Sequence, residues 1–341
     1  MSKKRNIPIG TDRHYYMDIC LLGLPLVSMA YFYYGMRPVW MCLYAVLLGN
    51  LCDRLVSMLR RRPYDASDWS NECFAMIIAL LMPASCDWSV LTVAVLAGVL
   101  IGKEAFGGYG SYPFHPAAVG YVVAAVSWPD EVLWYPNPGT EVPFFPNDQI
   151  VLSGSMSNML KNGGIPNTDL LNMMLGNYAG PIGATAILVL LACGIFLLVR
   201  KDIRCYAPLS FLVTCGAVAF IFPRHAVVEN SVIAQTMSGR FTLMIYELVS
   251  GAILFGALFL ATEPFTMPRK HRGGQVLYGI LLGAMTMAFR YFGVYDTGIC
   301  FAALAVGSVS QWLDRFSEQM YRAIGRLRVK LQEKGGPANA K

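Results

Sequence analysis

"FGGYGSYPFHPAAVGY", Phe106 to Tyr121, interrupts an apolar chain of 341 residues with four glycines, two prolines and one of its four histidines. Whether that interruption lies within a membrane or beside one decides the fold. Hydrophobic residues are 55% of the chain, charged residues 14%, and mean hydropathy is +0.47. That balance excludes an ordinary soluble domain and indicates a polytopic membrane protein.

Runs long enough to span recur at Met17 to Tyr34, Val39 to Leu59, Pro181 to Val199, Tyr206 to Phe222 and Phe241 to Ala261, each near the ~20 residues of one crossing. Between them lie shorter runs, Cys73 to Met82, Ser89 to Gly102, Pro116 to Trp128, Val276 to Phe289 and Gly298 to Trp312. These suit broken or buried helices surrounded by protein. The expectation is an all-α membrane protein of about ten transmembrane helices, some broken or short. With ten crossings and a cytoplasmic amino terminus, about 22 of the 27 Lys and Arg fall on the cytoplasmic side. The net charge of +6 is thereby explained by topology, and no nucleic-acid partner is needed. The first run lacks a small-residue cleavage site behind it and reads as a retained helix.

Hydropathy collapses between Pro129 and Gly180, a segment too long for a simple connector. Five crossings before it place it outside the cytoplasm, and five after it give halves of opposite orientation, the pattern of inverted repeats. The chain thus divides into a first half (1–128), an extracytoplasmic loop (129–180), a second half (181–314) and a cytoplasmic tail (315–341). "LLMPAS" and "LATEPFTMP" break the two halves at corresponding points. Paired interruptions of this kind point to a midplane site. The opening stretch then stops a helix within the membrane zone, or else forms a cytoplasmic turn between two short helices; composition does not separate the two.

Nine scattered cysteines without a CxxC pair suit small buried residues better than a disulfide framework or metal centre. Ionisable residues near membrane depth are few: Asp53, Glu72, Asp87, Glu104, Glu247 and Glu263, with Arg54, Lys103 and Arg290. Each carboxylate is a candidate for a cation path because a bare charge there is costly. Glu247 leads, having no Lys or Arg within four residues; Glu263 stands beside a helix break, and Glu72 is the third. Asp53, Arg54, Lys103 and Glu104 read as interfacial charges. In the tail, Phe316, Met320, Ile324, Leu327 and Leu331 recur at helical intervals among arginines, an amphipathic helix for anionic lipid or a partner subunit. The chain after Gly335 is expected to be disordered.

Four ordered segments carry a resemblance. "GGYGSYPFHPAAVGY" resembles "GGxGxNPFNPAxVGY", and "GALFLATEPFTMP" resembles "GAFFMATDPVTSP". "LLNMMLGNYAGPIGATAILVLLACGIFLLVRK" and "AFRYFGVYDTGICFAALAVGSVSQWLD" follow two further patterns in order. All four resemble the RnfD/NqrB family, membrane components of the Rnf electron transport complex and of the sodium-translocating NADH:quinone reductase, and the length suits the Rnf type. The resemblance implies ten helices in two inverted five-helix repeats, and a bacterial inner-membrane location with both termini cytoplasmic. It also implies a place in an ion-translocating ferredoxin:NAD+ oxidoreductase beside flavin- and iron-sulfur-carrying partners, and it implies bound flavin, FMN or riboflavin. No nucleotide-binding or iron-sulfur motif is present, so the chain is not catalytic alone.

In the family an "SGAT" threonine carries FMN through a phosphoester. The matching stretch here contains Ser153, Gly154 and Ser155, but Met156 stands in place of the acceptor. Methionine has no hydroxyl, which argues against covalent FMN; Ser155 or Ser157 is the chemical substitute, and Asp148 is displaced from the family spacing. Tyr112 and His115 replace two family asparagines as candidate flavin contacts. Rival readings are a structural subunit that has lost its flavin and a stand-alone inverted-repeat channel.

Overall fold

A computed structural model describes residues 11–61, 67–145, 150–164, 169–224, 227–228, 231–232, 236–268, 271–295 and 297–334. The described residues are mostly helical, with almost no strand. Helices α1 (Thr11–Tyr34), α2 (Arg37–Leu59), α3 (Ser70–Leu81), α4 (Trp88–Leu96) and α5 (Pro116–Ser127) form the first half. Helix α4 continues through a π segment, Ala97–Lys103, and a 3₁₀ turn, Glu104–Phe106. The connecting region holds α6 (Pro129–Val132), the antiparallel pair β1 (Trp134–Pro136) and β2 (Leu152–Gly154), α7 (Met156–Lys161) and α8 (Leu170–Leu175). The second half comprises α9 (Ile187–Arg200), α10 (Tyr206–Ile221), the two-residue pair β3 (Val227–Val228) and β4 (Ser231–Val232), α11 (Met237–Val249), α12 (Ile253–Phe259), α13 (Arg272–Phe292) and α14 (Gly298–Lys334).

His14–Tyr34, Arg37–Leu59 and Trp88–Phe106 are long and apolar enough to cross a membrane, and the bent pair α11 and α12 adds a fourth. Helix α2 shows why such a helix faces lipid. Leu43, Leu47, Leu51, Leu55 and Met58 form an exposed stripe at helical spacing, while Met41, Ala45, Gly49 and Cys52 face inward. Helix α3 lacks such a stripe, and every residue from Phe74 to Met82 except Met76 is buried. Its short apolar run is therefore a central helix walled by protein.

Four sequence expectations change. The run Phe241 to Ala261 is not one helix: it bends by 51° at residues 250–252, where Gly251 and Ala252 adopt φ of 65° and 59°. The run Pro181 to Val199 becomes helical only at Ile187. Its first residues are instead recruited as donors, with Ile182 N–H bonded to Met82 O (3.1 Å) and Gly183 N–H to Leu80 O (2.7 Å). Those carbonyls lose their helical partners where Pro83 stops α3. Two runs expected to be short are long: Trp88–Phe106 covers 19 residues and α13 covers 21. The tail is no separate helix, since α14 runs 37 residues without interruption from the apolar zone into the basic segment. Residues 335–341 lie outside the described residues.

Candidate functional site

The opening stretch folds as a left-handed turn. Gly107, Gly108 and Gly110 have φ of 113°, 88° and 72°, a region that only glycine occupies without steric cost. At Gly110 a Cβ would come within 2.9 Å of the Phe265 ring, so absence of a side chain also permits close approach. Pro116 then starts α5, its fixed φ suiting the first helical position. The break after α12 is organised by Glu263, whose Oε2 accepts the N–H groups of Phe265 (2.9 Å) and Thr266 (2.6 Å).

The two breaks meet. Tyr112 donates its hydroxyl to Glu263 Oε1 at 2.7 Å, and Tyr16 from α1 donates to the same oxygen at 2.7 Å. The two hydroxyl oxygens are themselves 2.7 Å apart. Beside them Tyr15 bonds Thr262 (3.0 Å), and His115 Nε2 lies 3.3 Å from Phe259 O. A carbonyl only accepts, so Nε2 carries the proton and Nδ1 is left as a buried acceptor without a hydrogen-bond partner. Phe74 packs edge-on against Tyr16, Tyr112 and His115 at 5.4–5.6 Å. Tyr16, Tyr112, His115 and Glu263 are each at most 3% exposed. Among the described residues no Lys or Arg pairs with Glu263.

Glu247 lies in a second cluster that shares no residue with the first. Its carboxylate is paired with Arg224 Nε (3.0 Å) and Arg290 Nη2 (3.0 Å). The bend between α11 and α12 is built around Arg290. Its Nη1 donates to the carbonyls of Glu247 (2.9 Å) and Ser250 (3.3 Å), and Nη2 to Ser250 Oγ (2.8 Å). A helix that ends there frees those carbonyls, and the negative end of its dipole faces the guanidinium. Arg224 and Arg290 lie 23 and 43 residues from Glu247 in the chain, which is why sequence spacing missed both partners.

The same arginines hold the connecting region. Arg290 Nε donates to Ser157 Oγ (3.3 Å), and Arg224 Nη1 to Ser157 O (2.7 Å). Ser155 caps α7, its Oγ accepting Asn158 N–H at 3.1 Å. Ser153 donates to Asn137 Oδ1 at 2.7 Å, next to the half-buried Gly154. Met156, Ser155 and Ser157 are at most 3% exposed. A phosphoester needs an accessible hydroxyl; the position that should supply it is a buried thioether, and the neighbouring serines are buried with their hydroxyls engaged. These residues do not fit covalent FMN. Asp148 lies outside the described residues.

Of the other candidates, Asp53 and Glu104 belong to a charged rim, Glu72 lies in the first turn of α3, and Asp87 stands apart at the start of α4. Glu72 Oε1 accepts from Asn50, while Oε2 is buried without a hydrogen-bond partner among the described residues. Lys103, 1% exposed, donates to Asp68 (2.9 Å) and Ser70 (2.7 Å), and Arg60 pairs with Glu104 (3.2 Å). Asp53, Asp68, Lys103, Glu104, Gly108 and Tyr109 contribute to the wall of a cavity of about 260 Å³. Tyr109 reaches from that wall to the Tyr16 ring, 6.0 Å away. On the α9–α10 turn, burial and the neighbouring Asp18 push the Asp202 carboxyl up to about 6.

A family model described as "NQR2, RnfD, RnfE family" matches residues 10–322. Three similar proteins are each named as the D component of an ion-translocating oxidoreductase complex. That of Actinobacillus succinogenes is 30% identical, covering 89% of this chain and 91% of its own. That of Pseudomonas paraeruginosa is 28% identical, covering 88% of each. That of Escherichia coli SMS-3-5 is 27% identical, covering 88% and 91%.

Proposed function

Because the chain belongs to the NQR2, RnfD, RnfE family, we propose that it is a membrane subunit of an Rnf-type ferredoxin:NAD+ oxidoreductase, coupling flavin-mediated electron transfer to Na+ or H+ movement. The names of its relatives support the assignment to such a complex. In this reading the chain crosses a bacterial inner membrane ten times in two inverted halves, and the distribution of Lys and Arg supports the cytoplasmic placement of both termini.

One observation carries the ion-path reading. Two buried glutamates differ in their partners among the described residues: Glu247 meets two guanidiniums, Glu263 only hydroxyls and backbone amides. A carboxylate already neutralised by two fixed cations is an anchor. One that meets no Lys or Arg among the described residues, where two helix breaks join, has room in its charge balance for a mobile cation. Glu263 therefore takes the lead from Glu247 on the path, with Glu72 as a second acid.

Bound flavin supplies the one-electron chemistry in this reading. The chain's contribution would be His115, whose Nδ1 is placed to accept a hydrogen bond from it, and the packed rings that exclude water around it. A second reading, a subunit that has lost its flavin, is favoured by the buried Met156 and the engaged serines. The test uses the complex with its partners in proteoliposomes. Glu263→Gln is expected to reduce ion uptake more than tenfold while assembly is kept, and unchanged uptake overturns the path. Absence of flavin from the purified subunit supports the second reading. Ion passage by the lone chain supports a channel instead.

A further inference from the structure

The outer flank of the second half has a feature unrelated to electron or ion transfer. Helices α9, α10 and α12 leave a cleft of about 220 Å³ whose lining side chains are all apolar, among them Leu191, Ile195, Leu198, Leu209 and Leu258. The first four are between 44% and 64% exposed, so the cleft opens outward. Its space admits an extended hydrocarbon chain but not a helix about 10–12 Å across.

One end of the cleft is cationic. The α9–α10 connector contributes Ile203 and Cys205 to the lining, and between and beside them Lys201 and Arg204 are exposed. Arg272, also exposed, lies over the Tyr206 ring at 5.3 Å at the same connector. Of the described acids nearby, Asp18 is buried under Arg200 (2.8 Å), and Asp202 approaches that same guanidinium (3.9 Å). An apolar cleft that ends in exposed cations is complementary to an amphiphile with a negative head.

We infer that this cleft is a binding site for one anionic phospholipid. One of its two acyl chains lies between α9, α10 and α12, and its phosphate meets Lys201 and Arg204. The charge at one end selects the headgroup, and the apolar walls hold the chain without selecting it.

The test is native mass spectrometry of the purified full chain after exchange into mixed phosphatidylglycerol and phosphatidylethanolamine. The wild type is expected to retain one phosphatidylglycerol in clear preference. Lys201→Asn with Arg204→Gln should reduce that retention about tenfold and leave phosphatidylethanolamine unchanged; Asn tolerates the left-handed backbone of Lys201. Gly194→Leu should displace both lipids, since even a Cβ there lies 3.0 Å from Leu258. Equal retention of the two lipids, or indifference to the charge-neutralising pair, overturns the site. Cys205 is the one exposed thiol among the described cysteines. In the assembled complex its crosslinking to a partner subunit would show a protein in the cleft and would also overturn the proposal.

Discussion

Tyr112 and Glu263 are 151 residues apart in the chain and meet as donor and acceptor, the phenol hydroxyl 2.7 Å from Oε1. The contact joins the glycine-rich break to the break after α12, and Tyr16 closes it from α1. Removing either hydroxyl deletes one donor to a buried acid, a change of about 1.5–3 kcal/mol. Tyr112→Phe and Tyr16→Phe are each expected to lower ion transport several-fold with little loss of folded protein. Transport at the wild-type rate in both would detach the tyrosines from the path.

Glu247 should behave differently from Glu263. Glu247→Gln leaves two buried guanidiniums with no carboxylate, at a cost of about 3–5 kcal/mol. The melting temperature in detergent should fall sharply. Glu263→Gln keeps the same shape among neutral partners and should melt near the wild type. Equal melting of the two variants would contradict this division.

The connecting region is expected to carry no covalent FMN. Intact mass of the native protein should equal that of the polypeptide. Met156→Thr with Ser155→Ala supplies the missing hydroxyl, yet residue 156 is buried and the cap of α7 is lost. Modification of this variant by a co-expressed flavin transferase should therefore be low. A native mass increased by that of FMN, and lost on Ser155→Ala or Ser157→Ala, would show a serine in the acceptor role.

Asp202 gives a pH dependence with a defined sign. Its folded value of about 6 lies above the ordinary carboxylate value, so the folded state holds the proton more tightly. The associated stability is present below about pH 4 and lost as pH rises through 6. The wild type should melt lower at pH 7 than at pH 5, and Asp202→Asn should narrow that difference. An unchanged difference in the variant would assign the effect elsewhere.

Topology is testable with reporter fusions. One after Lys161 should be extracytoplasmic, and those after Arg62, Lys201, Arg272 and Arg326 cytoplasmic. A cytoplasmic signal at Lys161 would contradict the ten-crossing arrangement.

Membrane character, the breaks at Pro83 and Glu263 and the central burial of α3 were readable in the sequence because apolar runs and helix breakers act locally. The bend at Ser250 was not. Nothing in "YELVSGAILF" stops a helix strongly, and the decisive partner, Arg290, lies 40 residues away. The neutralisation of Glu247 was hidden for the same reason. Tyr16 escaped notice because it stands beside Tyr15 in the polar stretch just before the first apolar run, and only the fold brings it to Glu263. Met156 was informative without any structure, since a thioether offers no hydroxyl for a phosphoester.

The length of α14 has a mechanical consequence. Thirty-seven residues make a helix about 55 Å long, whereas the hydrocarbon core of a bilayer is about 30 Å thick. Its first residues adjoin Thr297, whose hydroxyl bonds to Tyr121 on α5. Such a helix acts as a lever: a tilt of about ten degrees at the buried end would sweep the far end through roughly 10 Å. Small rearrangements among the packed helices thus become movements large enough for a neighbouring protein to register at the basic tail.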